Sequence, residues 1–233
     1  MTIFPKSTNH LSDLLIYLSD KAAKGEVQIP SLPVLSKKLK ISIASLREQL
    51  EVARIMGFVE VRPRTGIRLL PFDFTPAIFL SALYAIKINN SYFEQYRDFR
   101  NHLESAYFLE AVGLLSRNDI DQLAEIVKNA EDKINSIPPR LPHPEHREFH
   151  ALIFSKIDNP FMKSVFDVYW EIYEYLGYAI INDVDYLNRV WHYHHLVLEG
   201  IQNGNFNHAF ELFLQHKELM IKNTKMVPKL NFE

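Results

Sequence analysis

Between Asn9 and Lys24 the apolar residues Leu11, Leu14, Leu15, Leu18 and Ala22 recur at intervals of three and four, so they line one face of a helix that Gly25 ends. A second, shorter helix carries Val34, Leu35 and Leu39 behind Ser31, a residue type suited to capping a helix, with Pro33 tolerated in the first turn. A third opens at Ser42 and closes at Gly57, with Leu46, Leu50, Ala53 and Met56 as its buried stripe. The period then changes. Phe58, Glu60 and Arg62 alternate with Val59 and Val61, Pro63-Arg64-Thr65-Gly66 offers a turn, and Ile67-Arg68-Leu69 alternates again, which predicts a β-hairpin.

After Pro71-Phe72-Asp73-Phe74-Thr75-Pro76 no further strand signal follows. Helical segments are predicted over about 77–88, 91–114, 117–136, 144–157, 160–182, 184–203 and 206–224, separated by Asn, Ser and Pro clusters such as Asn159-Pro160 and Asn203-Gly204-Asn205. Three helices and a hairpin make a winged helix-turn-helix, whose third helix suits a major groove. The expected fold class is therefore mainly α. A winged helix-turn-helix occupies residues 1–70, a linker and connecting helix 71–90, and an all-helical antiparallel bundle 91–224.

Composition sharpens this reading. Only 7 Gly and 12 Pro in 233 residues argue against a turn-rich β architecture, and the absence of Cys removes disulfides, thiolate metal sites and cysteine nucleophiles, so a metal would need His, Asp or Glu. The longest uncharged stretch, Phe74 to Ile86, is shorter than the roughly 20 apolar residues that span a bilayer. The first residues also lack the pattern of a secretory signal, so a cytoplasmic, membrane-free protein is expected. The net charge of −2 hides an asymmetry: residues 1–70 hold 11 Lys+Arg against 6 Asp+Glu, and the remainder holds 15 against 22. Nine of the 10 histidines lie beyond residue 100. A basic head suggests a polyanionic partner, and a His-rich acidic body suggests protons or metals.

Candidate DNA contacts sit at the start of the third helix, Ser42, Ser45 and Arg47, and in the wing, Arg62, Arg64, Thr65 and Gly66. Hydroxyls and amides at a helix N-terminus suit phosphate oxygens, Arg47 can reach a guanine edge or a phosphate, and Gly66 permits close approach. The run Ile29-Pro30-Ser31…Leu35-Ser36-Lys37-Lys38-Leu39-Lys40-Ile41-Ser42…Leu46-Arg47-Glu48-Gln49-Leu50…Gly57-Phe58-Val59 resembles the DNA-binding head of the GntR family of bacterial transcription regulators over residues 10–70. Two arginines usual in that family are replaced here by Pro33 and Ile43. Their loss implies weaker contacts by roughly 1 to 3 kcal/mol each, with Lys37, Lys38, Lys40 and the wing arginines supplying salt-dependent attraction.

In the body, His146 and His150 are four apart on a predicted helix, a spacing that lets two imidazoles share one ion, although such a pair alone is more often packing than ligation. His194 and His216 lie on consecutive helices that antiparallel packing could bring level. His102, His143, His192, His195 and His208 are read as surface or packing residues.

Residues 92–222 resemble the FCD ligand-binding domain of the FadR-type branch of the GntR family. The likeness runs through Arg100-Asn101-His102-Leu103-Glu104, Glu148-Phe149-His150…Asp158-Asn159-Pro160 and His194…Glu199-Gly200-Ile201…Gly204-Asn205…Ala209…His216. The resemblance implies a divalent metal on His150, His194 and His216, with His146 where the family has Asp, a neutral ligand set favouring Zn or Ni. It also implies a small carboxylate effector paired with Arg100, and a homodimer on a double-stranded operator. Arg100 reads equally as an ion pair with Glu104 one turn on. The expected function is DNA-binding transcription regulation modulated by that effector, without catalysis. The alternatives are a His-bundle metalloenzyme, which lacks a His-Glu-x-x-His motif here, and a regulator whose metal is structural.

Overall fold

The computed structural model of the chain describes residues 10–177 and 183–222. It divides into two compact units, Met1–Ser81 and Ala82–Glu233. In the first, helix α1 (Asp13–Ala23) is capped by Ser12, whose hydroxyl accepts from the Leu15 amide, and begins four residues after Asn9, which lies outside the described residues. Helix α2 (Leu32–Leu39) follows Ser31, which holds the capping position but makes no side-chain cap bond. Helix α3 (Ile43–Ile55) is capped by the Ser42 hydroxyl on the Ser45 amide.

The predicted hairpin is one strand larger than expected. Strands β2 (Val59–Arg62) and β3 (Gly66–Leu69) pair antiparallel, and a two-residue strand β1 (Gln28–Ile29) adds to the other edge of β3, giving the order β1-β3-β2. Two residues are too few to show an alternation, so β1 has no sequence signal of its own. Leu14, Leu18, Leu35, Leu46, Ala53, Val59 and Ile67 form the core of this unit, as their spacing requires.

Helix α4 (Thr75–Ile88) contains the division between the units, and the rest is α5 (Ser91–Gly113), α6 (Arg117–Ile134), α7 (His143–Ile153), α8 (Pro160–Tyr175), α9 (Val184–Gln202) and α10 (Phe206–Lys222). Ser116 and Asp119 form a capping box at the start of α6. Helix α7 stops four residues short of the predicted 157, because the chain must leave helical geometry before Asn159-Pro160, where Asn159 caps α8. Helix α8 ends at Tyr175 with Gly177 at φ 76°, and the remainder of its predicted span, 178–182, lies outside the described residues, as do 223–224 of the last one. No described helix is long and apolar enough to cross a membrane.

Helix α9 packs on α6 and α10, α7 on α6, and α5 on α8 and α10. The turn between α9 and α10 closes through Gly204 at φ 70°, with the Asn205 amide donating to the Gly200 carbonyl. Gly200 sets how closely these helices approach: a Cβ there would stand 2.8 Å from Ala209 Cβ and 3.1 Å from its backbone. Alanine is the better helix former by about 1 kcal/mol. Gly200→Ala is nonetheless expected to destabilise by about 1 to 3 kcal/mol through overpacking, read as a lower urea midpoint; a variant as stable as wild type would mean that the helices part without penalty.

Candidate functional site

Four histidines converge inside the second unit. The four-residue spacing on α7 places His146 and His150 on its inward face, α9 contributes His194 and α10 contributes His216, and the metal-ligating atoms of all four lie within 4.8 Å of one another. His150 Nε2 and His194 Nε2 are 3.4 Å apart. Two nitrogens at the usual zinc distance on neighbouring corners of a tetrahedron are separated by about the same amount. Around them stand Trp170, Trp191, Phe149 and Phe213, with ring centres 4.5 Å (Phe149–His194), 4.7 Å (Trp191–His194), 5.1 Å (Trp170–His146) and 5.6 Å (Phe213–His150) apart. These rings exclude water.

Burial therefore dominates the electrostatics. It holds all four imidazoles well below the ordinary histidine range; the neighbouring imidazoles add to this for His146, His194 and His216, and the Arg100 guanidinium does so for His150. At neutral pH each offers a lone pair, the state that binds a metal. His146 Nε2, His194 Nδ1 and both nitrogens of His216 are buried without a hydrogen-bond partner among the described residues. Buried polar atoms are rarely left so. A divalent ion would take one nitrogen from each ring, so the residues present fit one, and the four buried histidines could hold a metal ion.

Beside this cluster α5 supplies a charged row. Arg100 is 1 % exposed and Glu104 is 0 % exposed, with Nη2 2.5 Å from Oε1. The Arg100 guanidinium also lies over the rings of Tyr169 and Trp170, at 4.5 and 5.3 Å. Burial raises the Glu104 carboxyl, opposed by Arg100, Lys217 and His216. Lys217, beside His216, is lowered to about 8 by burial; its ammonium donates to the Asn101 carbonyl and to Ser105 Oγ at 2.7 Å. Glu104 and Lys217 were legible only as neighbours of a candidate residue, Glu104 one helical turn after Arg100 and Lys217 next to His216. A cavity of about 180 Å³ beside α7 and α8 is lined by Glu104, His150 and Trp170, and by Arg147, Lys163 and Phe166. The other histidines of this unit are not ligand candidates: His102, His192 and His208 are exposed, His143 stacks on Tyr173, and His195 pairs with Glu131.

In the first unit, Arg47 projects into solvent and makes no ion pair or side-chain hydrogen bond among the described residues. Ser42 and Ser45 are partly spent on their own helix, Ser42 as the cap and Ser45 Oγ as acceptor from Gln49 Nε2. In the wing, Arg62 pairs with Glu60 at 2.7 Å, whereas Arg64, at φ 71°, is exposed at the tip. The Thr65 carbonyl accepts from Gln28 Nε2, and Gly66, at φ 77°, faces the same amide. Gln28, on β1, thus braces the turn. Pro33 lies in the first turn of α2, and Ile43 is 38 % exposed at the start of α3.

Comparison with known proteins adds the lineage. A model of the FCD domain family matches residues 95–218. Among solved structures, the GntR protein of Streptococcus agalactiae is 18 % identical over 90 % of this chain and 96 % of that one, with a TM-score of 0.62. E. coli McbR/YncC is 15 % identical over 91 % of this chain and 97 % of that one, with a TM-score of 0.48. A comparison with the curated proteins gives no match. The structural likeness to the first of these carries the fold, a small head with a three-stranded sheet followed by a helical bundle. The family match, spanning more than half of the chain and containing all four clustered histidines together with Arg100 and Glu104, settles its descent: this chain belongs to the FCD domain family.

Proposed function

We propose that the chain is a transcription regulator of the GntR family, in its FadR-type branch. Its first unit binds a double-stranded operator, and its helical unit holds a divalent metal on His146, His150, His194 and His216 beside a small carboxylate effector paired with Arg100. The observation that carries this reading is the convergence of four buried imidazoles, three of which have a nitrogen without a hydrogen-bond partner among the described residues. An all-imidazole set suits Zn or Ni better than Mn or Mg. When bound, the ion supplies a positive centre for a carboxylate, and a guanidinium suits the same anion. Regulation then needs the effector to bind one arrangement of a homodimer's two DNA heads more tightly than the other, since equal affinity shifts nothing.

Protein purified without chelators is expected to contain close to one equivalent of Zn or Ni per chain by elemental analysis, and His150→Ala to lose most of it. Unchanged metal content and stability in that variant would end the metal reading. Arg47→Ala is expected to weaken operator binding by about 1 to 3 kcal/mol in a gel-shift titration, with Ser42 and the wing residues Arg62, Arg64, Thr65 and Gly66 contributing phosphate contacts. A variant that shifts its operator as wild type does would remove the third helix from the interface. A second reading, in which the metal is structural and no effector binds, is favoured by the occupation of Arg100 in a buried pair with Glu104. Titration of the metal-loaded protein with acetate separates the two, since only the effector reading expects saturable binding that Arg100→Met removes.

A further inference from the structure

His150 is the one member of the cluster with protein groups at both ring nitrogens. Its Nδ1 lies 2.9 Å from Glu104 Oε1 and 3.0 Å from Arg100 Nη2, and its Nε2 lies 3.4 Å from His194 Nε2. A neutral imidazole carries one hydrogen, so Nδ1 either donates to the carboxylate or accepts from the guanidinium. The choice follows from His194, whose Nδ1 has no hydrogen-bond partner among the described residues. If His150 donates through Nε2, His194 must carry its hydrogen on Nδ1, where a buried donor goes unsatisfied. If His194 donates through Nε2 instead, only an acceptor is left over at its Nδ1, and His150 places its hydrogen on Nδ1 against a carboxylate, a charge-assisted bond. The second arrangement satisfies more of the buried groups. It also turns the His150 Nε2 lone pair towards the other three imidazoles.

We infer that Glu104 is the positioning residue of this centre: its carboxylate fixes His150 as the Nδ1–H tautomer with Nε2 presented to the cluster, and the same oxygen holds the Arg100 guanidinium. With hydrogen on Nδ1, the 3.0 Å approach of Arg100 Nη2 sets one donor against another, so the guanidinium is held by Glu104 and, through Nη1 at 3.4 Å, by Asn101 Oδ1. Its Nε has no hydrogen-bond partner among the described residues. One carboxylate thereby orients both a metal ligand and the candidate anion contact, without itself being either. A carboxylate behind a ligating histidine commonly fixes its tautomer and raises its basicity.

This inference rests on the metal reading above, and the test keeps the two apart. Zinc affinity is measured by chelator competition on wild type and on Glu104→Gln, and the His150 tautomer is read in the metal-free wild type from its ring ¹⁵N shifts and long-range ¹H–¹⁵N couplings. The expected results are His150 protonated on Nδ1 in wild type, and zinc bound about 10- to 100-fold more weakly by Glu104→Gln. Either a hydrogen on His150 Nε2 or an unchanged zinc affinity in a folded Glu104→Gln protein overturns the role of Glu104. Wild type that binds no zinc overturns the metal reading instead, and the tautomer measurement, which needs neither metal nor variant, still decides whether Glu104 orients the ring.

Discussion

Glu104→Leu is expected to lower the unfolding free energy of the metal-free protein by about 3 to 5 kcal/mol. The reason is what the exchange leaves behind. Arg100 is 1 % exposed, and its guanidinium cannot shed its charge at any accessible pH. Glu104 is the one carboxylate that it touches among the described residues, so the variant retains a buried cation with no counter-ion. Surface pairs in the same unit, such as Lys163 with Asp167 at 74 and 36 % exposure, contribute about 0 to 1 kcal/mol because water replaces either partner. The same logic makes the double variant Arg100→Met/Glu104→Leu far milder than Glu104→Leu alone, within about 2 kcal/mol of wild type, since an apolar pair of similar volume tolerates burial. Urea unfolding of the two variants in chelator measures the difference. A Glu104→Leu protein no less stable than wild type would show that Arg100 finds solvent.

That pair also marks how far the sequence reaches. The spacing of Arg100 and Glu104 announces an ion pair, and the structure contains it. Nothing in the spacing shows that both ends are buried beside four imidazoles, because burial depends on which helices neighbour α5, and their contacts reach it from 46 to 116 residues along the chain. The helices themselves were legible: their apolar periods and their Asn, Ser and Pro breaks locate each of α5 to α10, with errors concentrated where a cap overrides the period, as at the end of α7. The histidines divide the same way. His146 and His150 share a face by local geometry alone, whereas the meeting of His194 and His216 with them is a tertiary fact, set by the tight turn at Gly204 and the Gly200–Ala209 approach. In the head, β1 has no signal in the sequence because a two-residue strand exists only through its pairing with β3.

Lowering the pH from 7 to 5.5 is expected to remove about 5 kcal/mol of stability from the metal-free protein. In the unfolded chain His146, His150, His194 and His216 titrate near 6.5, whereas in the folded protein burial holds each of them well below that value. As the pH falls through 6.5 the unfolded state therefore takes up protons that the native state refuses, and stability must fall with it. The stability is fully present above the unfolded value and is lost towards the folded one. A group that stays neutral in the native state across this range forfeits a little over about 1 kcal/mol, so four forfeit about 5 kcal/mol, comparable with the whole stability of many domains. Glu104 acts in the opposite direction, since its carboxyl is raised and gains a proton in the native state first, but it is one group against four. Urea midpoints of chelator-dialysed protein at the two pH values provide the measurement. Equal midpoints would mean that the native cluster accepts protons as readily as the unfolded chain, which four imidazoles packed against one another, Arg100 and a wall of aromatic rings should not do.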